Sequence, residues 1–106
     1  MARYKFEELE AMARMAGFDP SISPVMAAIG LAESSGNPYA HNPKYPDDSY
    51  GLFQINMLDV PGYMLGQERR NRYGLRSNEE LFDPMKNLQA AKDIYENQGL
   101  GAWSVF

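Results

Sequence analysis

Residues 23–40 read SPVMAAIGLAESSGNPYA. Ser23 followed by Pro24 is a helix start, a capping hydroxyl and then a first-turn proline. From Pro24 to about Glu33 there is hardly any polar side chain, so the predicted helix should be buried nearly all round. The SSGNP cluster stops it. Glu33 thus stands at the end of an apolar helix, where the helix dipole disfavours an anion by up to about 1 kcal/mol. Apolar neighbours make its ionisation harder still. A carboxylate placed there is either an exposed helix end of no consequence or a group that holds its proton. Holding a proton near neutral pH is what a general acid must do.

Upstream, Phe6, Leu9, Met12, Ala13 and Ala16 recur at three- and four-residue steps, which predicts an amphipathic helix over 4–16 ending at Gly17. Downstream, residues 34–50 hold three prolines and no periodicity. A loop of that length in a small domain points to function or disorder. Tyr39, Tyr45 and Tyr50 offer flat apolar faces with a hydroxyl edge, suited to walling a sugar groove. GLFQIN (51–56) predicts a short strand or extended turn. Residues 57–73 stay ambiguous, broken by Pro61 and Gly62, with QERRNRYG reading as solvated. Ser77 to Glu80 forms a capping-box pattern, and Asp83-Pro84 starts a second helix. Met85, Leu88, Ala91, Ile94 and Tyr95 continue it until Gly99. The tail LGAWSVF carries the only tryptophan, expected in the core. The expected architecture is one mainly α domain over 1–106, compact and helical, with an irregular or short β insertion at its centre.

The chain has 106 residues, 44% of them hydrophobic, enough for one cored domain. It has no cysteine, which excludes disulfides and thiolate metal sites. Its net charge of −4 argues against nucleic acid as a partner. No window reaches the roughly 18 apolar residues of a membrane span, and the N-terminus lacks a signal-peptide core. Stable membrane insertion is therefore not expected. His41 has no second ligand at metal spacing, so neither metal nor cofactor is expected.

ESSGNPYA, SYGLFQIN and DPMKNLQAAKDIY, in this order and spacing, resemble the catalytic domain of soluble lytic transglycosylases and goose-type lysozymes. Small phage-borne members with a G-x-x-x-W tail, here GLGAW, are the nearest likeness. The resemblance covers about residues 22–106. It implies an α+β lysozyme-like fold with a glycan groove, and cleavage of the β-1,4 bond between N-acetylmuramic acid and N-acetylglucosamine in peptidoglycan. Glu33 would be the acid and then the base, as in transglycosylases, which close a 1,6-anhydro ring and need no second carboxylate. Ser34 would orient Glu33. Ser49, Tyr50, Gly51, Leu52, Gln54, Ile55 and Asn56 would line or support the groove. The usual A-Y-N-x-G segment is missing, and Tyr95 is a possible substitute for its tyrosine.

Two alternatives stand beside this reading. A goose-type hydrolase would use Asp47 or Asp48 to position water. A non-catalytic glycan-binding or virion structural domain would keep the fold without the chemistry. The resemblance further implies a monomer acting on glycan strands of the cell wall. It would be made in a host cytoplasm and reach the wall on lysis or as part of a virion.

Overall fold

A computed structural model describes residues 2–103 of the chain. Helix α1 spans Phe6–Met15, and α2 spans Ser23–Ser34. Leu9 and Ala13 are fully buried on the face of α1 predicted from the three-four spacing. The helix opens with the Lys5 backbone N–H donating to Glu8 Oε1 at 2.8 Å.

Helix α2 is the central rod. Met26, Ala27, Ile29 and Gly30 are buried, while only Ala28 and Ala32 are exposed on it. Gly30 lets the rod pack closely. A Cβ there would stand 3.2 Å from Phe53 Cζ and 3.4 Å from Leu9 Cδ1. A mid-helix glycine costs up to about 1 kcal/mol relative to alanine, which this close packing offsets. The start of α2 differs from the expected cap. Ser23 is already helical and fully buried, and its hydroxyl donates to the Asp19 carbonyl at 3.1 Å. A hydroxyl out of contact with water needs an acceptor, and the preceding turn supplies it.

The central insertion contains β1 (His41–Asn42), β2 (Ser49–Tyr50) and β3 (Ile55–Asn56), which pair antiparallel in that order. A hairpin of β4 (Asp59–Val60) and β5 (Tyr63–Met64) leads into α3 (Leu65–Tyr73). Helix α3 was not evident in the sequence because its residues are polar nearly all round. It is held by its side chains: Arg70 pairs with Asp59 at 2.7 Å and Arg72 with Asp93 at 2.7 Å. The Tyr73 hydroxyl also donates to Asp93 at 2.9 Å, and burial pushes its pKa up to about 12.

A short 3₁₀ helix (Asn78–Phe82) precedes α4 (Pro84–Gln98). Ser77 makes no side-chain cap bond; instead Glu80 accepts from the Arg76 N–H at 2.6 Å. Asp83 caps α4 as expected, accepting from the Lys86 N–H at 2.9 Å. Leu88, Ala91 and Ile94 are buried. Gly99 ends the helix, and a 3₁₀ turn (Leu100–Ala102) brings Trp103 back to the core. Residues 104–106, the rest of the tail, lie outside the described residues. The fold is mainly α with small antiparallel sheets, the class expected.

Asn87 joins the helical body to the insertion. It is fully buried on α4. Its Oδ1 accepts from the Phe53 N–H at 2.8 Å, and its Nδ2 donates to the carbonyls of Tyr50 (2.8 Å) and Leu81 (3.0 Å). Gly51 makes room for this amide. It adopts φ +79, and a Cβ there would collide with Asn87 Nδ2 and the Leu81 carbonyl. The glycine therefore serves packing on Asn87.

Candidate active site

Glu33 occupies the last turn of α2. Ser35 follows in the left-handed region (φ 56), its N–H bonded to the Leu31 carbonyl at 2.8 Å. This ends the helix sharply and leaves the half-buried Glu33 side chain lining a cleft of about 300 Å³. Asn42, Asp47, Ser49, Gln54, Asn56, Ala102 and Trp103 line the rest of the cleft.

The short sheet explains this selection. Asn42 pairs with Ser49, and Ser49 with Asn56, so one polar residue from each strand forms a row. Successive side chains of a strand point to opposite faces. The other row is therefore His41, Tyr50 and Ile55, turned from the cleft. The polar row is braced from behind. Asn56 Oδ1 accepts from the N–H groups of Asp48 and Leu58, both at 3.1 Å. Gln54 holds a positive φ of 50, and its Nε2 donates to the carbonyls of Gly51 (3.0 Å) and Ala40 (3.2 Å). Such backbone strain in a non-glycine residue costs about 1 kcal/mol or more and clusters at functional sites.

Burial raises the pKa of Glu33 above the ordinary carboxylate value, and the negative charge of Asp47 raises it further. Both effects disfavour the charged form. Among the described residues, no side chain or backbone group hydrogen-bonds the Glu33 carboxyl. The carboxyl is half-buried and open to whatever enters the cleft.

Five residues singled out in the sequence meet here: Glu33, Asp47, Ser49, Gln54 and Asn56. Others do not. Asp48 is turned outward, 2.7 Å from His41 Nε2. Tyr50 stacks on His41 at 4.2 Å between centroids and tilts against Phe82 at 5.6 Å. Ser34 gives its hydroxyl proton to the Gly30 carbonyl at 2.8 Å and makes no hydrogen bond to Glu33. Leu52 and Ile55 are core residues. Tyr95 packs on Phe18, which precedes the opposite end of α2, so it does not stand in for the missing family tyrosine. Tyr39 and Tyr45 are exposed and do not line this cleft, so no tyrosine wall forms there.

The sequence reading missed Asn42 and Asn87, and it assigned Trp103 only half its part. Trp103 is core, 4% exposed with Nε1 donating to the Phe53 carbonyl at 3.0 Å, yet it also lines the cleft. A lone asparagine among the apolar steps of α4 was the available signal for Asn87.

A helical body, an acid at the end of its buried rod and a polar sheet row opposite define a cleft suited to an extended polar substrate. Residues 10–105 match the family described as "Lysozyme like domain", and the chain belongs to that family. Membership supports an enzyme of the peptidoglycan-cleaving kind, without separating lysozyme from transglycosylase. No curated protein matches the chain. Among the described residues, no helix is long and apolar enough to cross a membrane.

Proposed function

We propose that the chain cleaves the β-1,4 bond between N-acetylmuramic acid and N-acetylglucosamine as a lytic transglycosylase, with Glu33 as acid and then base. The observation that carries this reading is the half-buried Glu33 carboxyl, unbonded, with its pKa raised by burial and by Asp47. In the first step Glu33 protonates the glycosidic oxygen and the C1–O bond breaks, leaving positive charge on the muramyl ring. The muramyl 6-hydroxyl then attacks C1, and its proton returns to Glu33. Atoms and charge balance without external water. Ser49, Gln54, Asn42 and Asn56 offer hydroxyl and amide groups to the sugar's polar edges, and the Trp103 side of the cleft offers an apolar surface.

A second reading is favoured by Asp47 lining the same cleft. As a hydrolase, the chain would use Asp47 to position water on the far face of the ring, the two-carboxylate arrangement of most glycosidases. Asp48 drops out of this role because it faces His41. The deciding experiment is mass spectrometry of muropeptides released from purified cell walls. Anhydromuramyl ends support transglycosylation; reducing ends overturn it in favour of the hydrolase. Binding without any release would leave only a glycan-binding or virion structural module. Delivery to the wall on phage-type lysis, or within a virion, belongs to the same proposal.

A further inference from the structure

The cleft at Glu33 does not stop at Trp103. Gln54, Asn56, Ala102 and Trp103 also line a second hollow of about 190 Å³. Arg69 and Gln98 carry that hollow into a third of about 200 Å³, at the seam of α3 and α4. Shared walls thus set the three hollows side by side from the end of α2 to that seam, and the charge along this trough is uneven. Glu33 and Asp47 are the acidic groups lining the first hollow, whereas Arg69 is the single basic group lining the second and has no acid beside it there. The outer hollow is mixed, with Glu68 beside Arg69 and Arg72 paired to Asp93.

Arg69 differs from its neighbours on α3. Arg70 and Arg72 each hold a carboxylate at 2.7 Å. Arg69 has none within 4.0 Å among the described residues; its Nη1 donates to the Asn56 carbonyl at 2.9 Å. A guanidinium presents five N–H donors in a planar fork that matches a carboxylate. One donor anchors Arg69 to the strand beneath the trough, leaving the rest of a half-buried cation without a counter-charge.

We propose that Arg69 binds a carboxylate carried by the glycan strand, the lactyl or stem-peptide carboxylate of a muramyl residue. It thereby sets the register in which the strand crosses Glu33. Asp47 at one end repels that carboxylate and the guanidinium attracts it, so one register of the strand is favoured. This inference rests on the proposed function for the identity of the strand.

The test is binding to Glu33→Gln, the variant designed to stop turnover. Three oligosaccharides are compared: a peptide-free muramyl chain, a peptide-bearing muramyl chain, and an N-acetylglucosamine chain with no carboxylate. The muramyl chains are expected to bind about tenfold or more tightly than the carboxylate-free chain at low salt. Whichever muramyl chain binds tighter identifies the carboxylate. Adding Arg69→Gln should close that gap, while Arg69→Lys keeps part of it as a point charge. Equal affinity for all three chains, or an equal loss on all three with Arg69→Gln, overturns the proposal. The parent comparison needs no Arg69 variant to fold. A carboxylate preference without cleavage by the unmutated chain would sink the enzyme reading alone, and cleavage without the preference would sink this one alone.

Discussion

Asn87 and Glu33 are both polar side chains set among apolar residues, and they are treated in opposite ways. Asn87 is fully buried, with its oxygen and both amide protons engaged on three backbone groups. Glu33 is half-buried, beside another acid, and hydrogen-bonded to none of the described residues. Buried polar groups are stabilising only when satisfied. Asn87 meets that condition and fixes the GLFQ turn, which presents Gln54 to the cleft. Glu33 is only half-buried, so its carboxyl needs no partner within the fold and stays open to the cleft. The satisfied amide lies behind the cleft, and the unbonded carboxyl lies inside it.

The strongest way to break this contrast is Glu33→Gln. Losing the proton donor should lower wall-clearing activity by roughly 10²–10⁴-fold, the usual range for a general acid. Turbidity loss of purified cell walls measures it, with thermal unfolding as the check on folding. Activity within a few-fold of the parent would strip Glu33 of its role. At the other pole, Asn87→Ala leaves an N–H and two carbonyls unpaired in the core. Each orphaned group costs about 1–3 kcal/mol, so a loss of about 3 kcal/mol or more is expected. In a domain of this size that lowers the melting temperature by roughly 10–20 °C. A variant melting within about 4 °C of the parent, corresponding to about 1 kcal/mol, would show that the hub is not needed.

The same two residues mark what was legible in the sequence. Helices α1, α2 and α4 were readable because each buries an apolar face at helical spacing. Glu33 was readable because the apolar run and its stop signal stand next to it. Helix α3 was hidden, since Leu65–Tyr73 is polar nearly all round and is docked by Arg70 and Arg72 on acids 11 and 21 residues away. Strands of two residues carry no alternation to detect, so the Asn42–Ser49–Asn56 row needed coordinates. Tyr50 misled for the same reason: strand pairing puts it on the face away from Glu33. Asn87 acts on Phe53 from 34 positions away, a relation that no local pattern encodes.

Asp47→Asn sharpens the comparison by removing the charge that faces Glu33 without touching the hub. The charge of Asp47 helps raise the Glu33 pKa, so its loss should let Glu33 deprotonate more easily. The alkaline limb of the rate profile then moves to lower pH. If Glu33 works alone, the maximal rate should stay within a few-fold. If Asp47 positions water, the rate should fall by about 10²-fold or more, and the transglycosylase reading goes with it. An unmoved alkaline limb would mean that Asp47 does not act on Glu33 electrostatically.

The smallest effect expected is on stability, and it too separates the two residues. The folded pKa of Glu33 lies above its unfolded value, so the folded state binds its proton more tightly. That contribution is fully present below the unfolded pKa and is lost as pH rises through the folded pKa. Glutamine cannot ionise and escapes the loss. Glu33→Gln should therefore melt slightly higher than the parent at pH 7–8, with the advantage shrinking as pH falls below the ordinary carboxylate range. Asp59 and Asp93 have the opposite sign. Arg70 and Arg72 respectively hold their pKa values down, so their contributions fade on acidification in parent and variant alike. Subtracting the two melting-temperature profiles across pH cancels those shared terms and isolates Glu33. A difference that is flat in pH would place the Glu33 carboxyl in an environment no different from water, and one largest at acid pH would mean that the fold favours its charged form.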